Sequence, residues 1–247
     1  MKTKFLTLVL IGLTTGFAHA QAFGLYRNFT DTKGSTIYAQ ITGIDFEESK
    51  IQLRREDGAE AWVGVNAFSS EDLEYIEAWY ESSLLISADS LLVSVLQNQG
   101  KAKTVQQEDG YTRETAHFCE LTVGNFATEP VEKLYIEYYY CIGSTEDGQA
   151  TLSRVEQGYI EIGSLAEGEK VTVKTDDVAL NTVYEIQTTQ TAFGSSTDEV
   201  LIDNESVLGI SFRVYGSGTN GVLSIREFST PNTLASWTKD LPQLTIN

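Results

Sequence analysis

The chain is poor in the residues that most metal and thiol chemistry needs. It carries 2 cysteines, 2 histidines and 1 methionine in 247 residues. Cys119 and Cys141 are far apart in sequence, so there is no CxxC pair for redox exchange or zinc. His19 lies in the leading segment, which leaves His117 as the one imidazole beyond it. The GxSxG, HExxH, P-loop and dinucleotide-binding fingerprints are missing. Basic residues are also scarce: 17 Lys and Arg stand against 35 Asp and Glu, a formal charge of −18. A phosphate backbone is gripped through Lys and Arg, so this balance argues against nucleic acid and anionic membrane as partners. Past residue 20 no apolar run is long enough to span a bilayer, so membrane insertion is not expected. No cofactor and no resident metal are expected either.

What is present begins with an export pattern. In MKTKFLTLVLIGLTTGFAHA, Lys2 and Lys4 precede an apolar run from Phe5 to about Leu13. Ala18-His19-Ala20 places small residues where a signal peptidase reads, which predicts cleavage before Gln21. No cysteine follows the run, which argues against a lipid anchor. Residues 1–20 are therefore set aside as a signal peptide. The expected location is extracytoplasmic: periplasm, cell surface or medium.

Residues 22–80 read as one small module. SKIQLRRED alternates Ile51 and Leu53 with Gln52 and Arg54, giving one apolar and one polar face. Glu56-Asp57-Gly58 is a turn signal, and the alternation resumes in AEAWVGVNAF. STIYAQITGIDF supplies an earlier strand. A helix start follows: Ser69 suits the N-cap, Asp72 the third helical position, and Phe68 with Leu73 a hydrophobic staple. Leu73, Ile76 and Tyr80 recur at helical spacing and are expected to lie on the sheet.

These residues resemble a known family. Arg27-x-Phe29-Thr30-Asp31, Gly34, Ile51-x-Leu53, Glu56-Asp57-Gly58, Val63-x-Val65, Phe68-Ser69 and Glu71-Asp72-x-x-Tyr75-Ile76 follow the pattern of the first homology domain of the yeast endocytic adaptor Sla-one. The resemblance covers about 55 residues and is a pattern of many weak positions. It implies a small SH3-like barrel with a C-terminal helix. It also implies peptide recognition, since the adaptor's domain binds Asn-Pro-Phe-any-Asp peptides. Such a ligand needs an apolar slot and a cation. Arg54 and Arg55 are the candidate cations and Trp62 a candidate slot wall, against the alternative that the arginines are solvated and Trp62 is core.

Residues 84–234 hold at least eight short alternating runs, among them HFCELTV, KLYIEYYYCI and LGISFRVY, separated by turns such as Glu108-Asp109-Gly110. This predicts an antiparallel β-sandwich. A short boundary near Glu81-Ser82-Ser83 implies that the modules lie close. Residues 235–247 read as a peripheral tail. Cys119 alternates with Leu121 and Val123, whereas Cys141 alternates with Tyr135, Glu137 and Tyr139. The two thiols thus point to opposite kinds of face, and a disulfide is left open.

The preferred function is non-enzymatic recognition of a peptide or protein. Tyr135 and Tyr139 share a strand face and, if exposed, would form a flat aromatic platform for a glycan; packing under cover is the alternative. His117 sits two residues from Cys119, but a Cys-His nucleophile usually draws its residues from separate elements. Asp198, Glu199, Asp203 and Glu205, with Asp176 and Asp177, could suit calcium, yet they match no loop pattern and read as solvated acids. A hydrolase using two carboxylates has no pair singled out.

Overall fold

Alternation builds the first sheet. In a computed structural model that describes residues 25–146, 149–192 and 194–231, β1 (Arg27–Thr30), β2 (Thr36–Asp45), β3 (Lys50–Arg55) and β4 (Glu60–Gly64) pair antiparallel in chain order. The expected signal peptide and C-terminal tail lie outside the described residues. Ile41, Ile51 and Leu53 turn inward and are buried. The β3–β4 turn needs Gly58 at φ +79, and Asp57 Oδ1 accepts from the Ala59 amide at 3.1 Å.

After β4 a 3-10 turn, Val65–Ala67, swings the chain back to β1. There Asp31 bridges to Phe68, and the Ser69 amide donates to the Thr30 carbonyl at 2.9 Å. The two edges of the sheet are thereby drawn together into a small barrel. The helix α1 (Ser70–Leu85) then crosses it. Ser69 Oγ accepts from the Asp72 amide at 3.2 Å, the expected cap. Asp72 itself reaches β1: Oδ2 accepts from the Thr30 amide at 2.6 Å and Oδ1 meets Arg27 Nη2 at 2.9 Å. Ile76 and Trp79 seat against Phe29 and Phe68, and Leu73 packs beside them.

The second module is a sandwich of two antiparallel sheets. One contains β5 (Leu91–Gln107), β6 (Gly110–Asn125), β10 (Val178–Thr191) and β11 (Gly194–Asn204) in the order β11-β10-β6-β5, with β9 (Lys170–Lys174) also on β6. The other has the order β13-β12-β7-β8, from β7 (Val131–Glu146), β8 (Gln149–Leu165), β12 (Ser206–Ser217) and β13 (Leu223–Thr230). Cys119, Leu121 and Val123 of β6 face Ile136, Tyr138 and Tyr140 of β7 and Phe212 of β12 in one core. The fold is therefore mainly β. β11 is the strand that alternation missed. GSSTDEVLIDN is exposed along nearly its whole length, so no buried face imposes a period of two.

The modules are joined through the helix. α1 runs on through Glu81–Ser83 to Leu85, and Ile86 enters the sandwich core. In return Val222, from the β12–β13 turn, packs on the barrel core. Asn220 Nδ2 donates to the Ala78 carbonyl at 3.0 Å, and the Gly218 amide donates to Ser82 Oγ at 3.3 Å.

Candidate functional site

Arg54, Arg55 and Trp62 do not converge. Consecutive strand residues face opposite sides, so the two arginines are separated by the sheet. Arg54 Nε donates to Glu60 Oε1 at 2.8 Å, and its Nη1 lies 3.9 Å from Glu227 Oε1 of the sandwich. It is thus committed to its own module and its neighbour. Trp62 is 50% exposed rather than core. It sits on the Arg54 face across from Gln52, with its ring over Gly43, where a Cβ would stand 3.6 Å from Trp62 Cη2. Arg55 opens instead onto a depression of about 530 Å³ that it shares with Ile37, Tyr38 and Asp57.

The aromatic platform expected at Tyr135 and Tyr139 does not form. Tyr139 is 1% exposed and Tyr135 is half-buried. The face they share is built around a buried carboxylate, Glu137. Tyr139 donates to Glu137 Oε1 at 2.6 Å and Tyr215 to Oε2 at 2.7 Å. Arg213 Nη1 donates to the Tyr139 hydroxyl at 3.3 Å and its guanidinium lies over that ring, while its Nε donates to Glu227 Oε1 at 2.8 Å. Burial, followed by the Glu137 charge, pushes the Tyr215 phenol up. Tyr139 and Tyr215 are spent on satisfying a buried charge, and Tyr139 offers no flat face to a sugar.

Cys119 and Cys141 are free and buried, one in the sandwich core and the other on the opposite face of β7. Burial pushes both thiols up, away from the thiolate that nucleophilic chemistry needs. His117 stands two residues from Cys119 on β6, and partial burial lowers its pKa.

His117 belongs to a different feature. Past the core, the inner face of the β5–β6–β10 sheet turns polar in three adjacent strands, at Gln97 opposite Cys119, at His117, and at Thr182 opposite Arg113. Val93 and Val95 give way to Gln97 and Gln99, Leu121 and Cys119 to His117 and Arg113, and Val178 and Leu180 to Thr182 and Tyr184. The register sets Gln99 and Val178 on either side of His117 and Thr182 beside Arg113. This face lines an open groove of about 650 Å³. Tyr184 stacks on Tyr111 with centroids 4.9 Å apart, and the Tyr111 hydroxyl donates to Glu199 at 3.0 Å. Glu205, at the groove wall, is held by Arg154 through two hydrogen bonds of 3.1 Å and by the Asn181 amide at 3.0 Å.

No family model and no curated protein matches this chain. Among solved structures, Northeast Structural Genomics Consortium target SoR45 is similar at 12% identity with a TM-score of 0.26, over 54% of this chain and 90% of that one. DesR, a β-glucosidase from Streptomyces venezuelae in complex with D-glucose, is similar at 17% identity with a TM-score of 0.18, over 55% of this chain and 15% of that one. Likenesses this distant carry no function across.

Several of the acids considered for calcium are engaged by neighbours. Glu205 is paired with Arg154, Asp176 accepts from the Tyr138 hydroxyl at 2.9 Å, and Asp177 accepts from Lys174 at 2.6 Å. Among the described residues no three His, Cys, Asp or Glu side chains are grouped to hold a metal ion. No helix among them is long and apolar enough to cross a membrane. The groove residues Gln97, Gln99, Arg113 and Tyr184 were not singled out by sequence reasoning. The signal was there in the shared loss of apolar character along three strands, but it becomes visible only once their register is known.

Proposed function

We propose that this is an exported, non-enzymatic binding protein whose first module recognises a peptide or protein ligand. The observation that carries this reading is the depression beside Arg55. It is lined by Arg55 together with Ile37, 36% exposed, and Tyr38, 46% exposed. Arg55 Nη2 lies 3.0 Å from Asp57 Oδ2, with both side chains more than half exposed. A pair so exposed to water contributes about 0–1 kcal/mol, so a ligand carboxylate can take the place of Asp57. The resemblance to the Sla-one homology domain supports the same reading, as does Trp62, a large exposed aromatic on the opposite face of the sheet.

The test is fluorescence polarisation of the full chain with a labelled Asn-Pro-Phe-any-Asp decapeptide, run beside a pull-down from envelope extract. The reading expects saturable capture that Arg55→Glu and Tyr38→Ala abolish and Trp62→Ala weakens. Absence of any saturable ligand in both assays, or capture indifferent to Arg55→Glu, would remove it.

A further inference from the structure

We propose that the groove at the open end of the sandwich binds an acidic saccharide, with Arg113 facing its carboxylate. The site is separate from the Arg55 depression and does not depend on it. Three observations lead there. The first is an orphan cation. Arg27, Arg54, Arg55, Arg154 and Arg213 each pair with a carboxylate, and Arg226 donates to the Leu91 carbonyl at 2.8 Å. Arg113 alone among the described arginines makes no ion pair or hydrogen bond, although the chain carries 35 acidic residues. A guanidinium left open at a groove matches a planar carboxylate, which it meets through two parallel N–H donors.

The second observation is the chemistry around it. Gln97 and Gln99 are exposed and their amides make no hydrogen bond within the described protein. Each amide offers donors and an acceptor, the mixture that vicinal hydroxyls require. Thr115 and Thr182 add hydroxyls to the same lining. Tyr184, stacked on Tyr111, offers an aromatic surface whose partner is anchored by Glu199. A ring with an apolar face and polar rim fits such a wall.

The third observation is rigidity and charge. Glu205 would repel an acid, but its carboxylate is engaged by a two-point contact with Arg154, which also pairs with Glu156, and by the Asn181 amide. Partial burial lowers the His117 pKa, which favours the uncharged ring, and Arg113 is the arginine in the groove lining. A volume of about 650 Å³ has room for a few sugar rings.

The full chain is applied to a printed array of uronate-containing oligosaccharides and their neutral counterparts. The best signal is then followed by calorimetry, with tetragalacturonate and its methyl ester as the reference pair. Binding is expected to favour the uronate member, to weaken about tenfold or more in Arg113→Gln, the scale of one charge-assisted contact, and to vanish in Ala102→Trp. Ala102 is exposed in the groove, so the indole fills it without disturbing the core. Arg55→Glu is expected to leave saccharide binding unchanged, which separates this site from the first module. A blank array, equal binding of neutral and acidic members, or binding untouched by both groove variants overturns the proposal.

Discussion

Arg54 of the barrel and Glu227 of the sandwich stand 3.9 Å apart, and Glu227 also takes Arg213 Nε at 2.8 Å. One carboxylate thus lies between cations from two modules. Through Arg213 it connects with Tyr139, Glu137 and Tyr215 deeper in the sheet. Arg54, considered from the sequence as a ligand contact, is part of the junction between modules.

Arg54 is therefore expected to affect stability before it affects binding. Its contact with Glu227 is long and partly exposed, so Arg54→Ala should cost about 1 kcal/mol or less. Arg54→Glu adds repulsion from Glu60 and Glu227 and should cost more at low salt than at high salt. Calorimetric melting at two ionic strengths checks this. A low-salt Tm identical to wild type for Arg54→Glu would mean that the approach to Glu227 is incidental.

Glu137 is the more demanding position. It is 1% exposed and accepts from two tyrosine hydroxyls, with Arg213 Nη1 at 3.6 Å. Glu137→Ala leaves the Tyr139 and Tyr215 hydroxyls without this acceptor and a largely buried guanidinium without one of its two carboxylates. Removing one partner of a buried pair typically costs about 3–5 kcal/mol. Replacing Glu137 and Arg213 together by Leu and Met should cost less than the sum of the single changes. Urea denaturation of the three variants measures the coupling, and strict additivity would break the network reading.

Local signals were legible where chain-neighbours decide the outcome. Ser69, Asp72, Phe68 and Leu73 marked the helix start, and Ile51 and Leu53 gave the barrel face. The details beyond the neighbourhood were not legible. Asp72 reaches back to the Thr30 amide, 42 residues away, rather than to the Ser69 amide of a capping box. Tyr139 looked like a wetter position because alternation assumes that one face of each strand sees solvent. Both faces of β7 are buried here, and only the fold as a whole reveals it. β11 escaped because it is exposed on both sides. The same limit hid the groove, whose residues come together from separate strands.

Gly158 pairs directly with Tyr138, and the tyrosine lies across it. A Cβ at Gly158 would stand 2.2 Å from the Tyr138 hydroxyl and 2.4 Å from Cζ. The ring cannot easily retreat, because its hydroxyl donates to Asp176 Oδ2 at 2.9 Å and accepts from the Asp176 amide at 3.0 Å. Gly158→Ala should therefore cost about 1–3 kcal/mol, as overpacking does. Gly168→Ala has open space around the added Cβ and is strained only through φ +71, which makes it the comparison. Equal Tm values for wild type and Gly158→Ala would show that the ring can move.

The buried tyrosines set the alkaline limit of the fold. Burial pushes the Tyr138 phenol up from 10.0 to about 12, and Tyr140 and Tyr215 are pushed higher still, again chiefly by burial. A group whose proton is held more tightly in the folded state stabilises fully below its unfolded pKa. Above that pKa the unfolded chain releases its proton first, so stability falls as pH rises. For Tyr138 the loss runs from about pH 10 to about pH 12, with Tyr140 and Tyr215 extending it upward. Phenolate absorbance from the buried tyrosines should therefore rise in a cooperative step that coincides with loss of β-sheet circular dichroism. Tyr138→Phe should move the cooperative step to higher pH, provided its lost bond to Asp176 is allowed for by comparing midpoints against stability at neutral pH. A single smooth titration completed before the sheet signal changes would contradict the burial of these phenols.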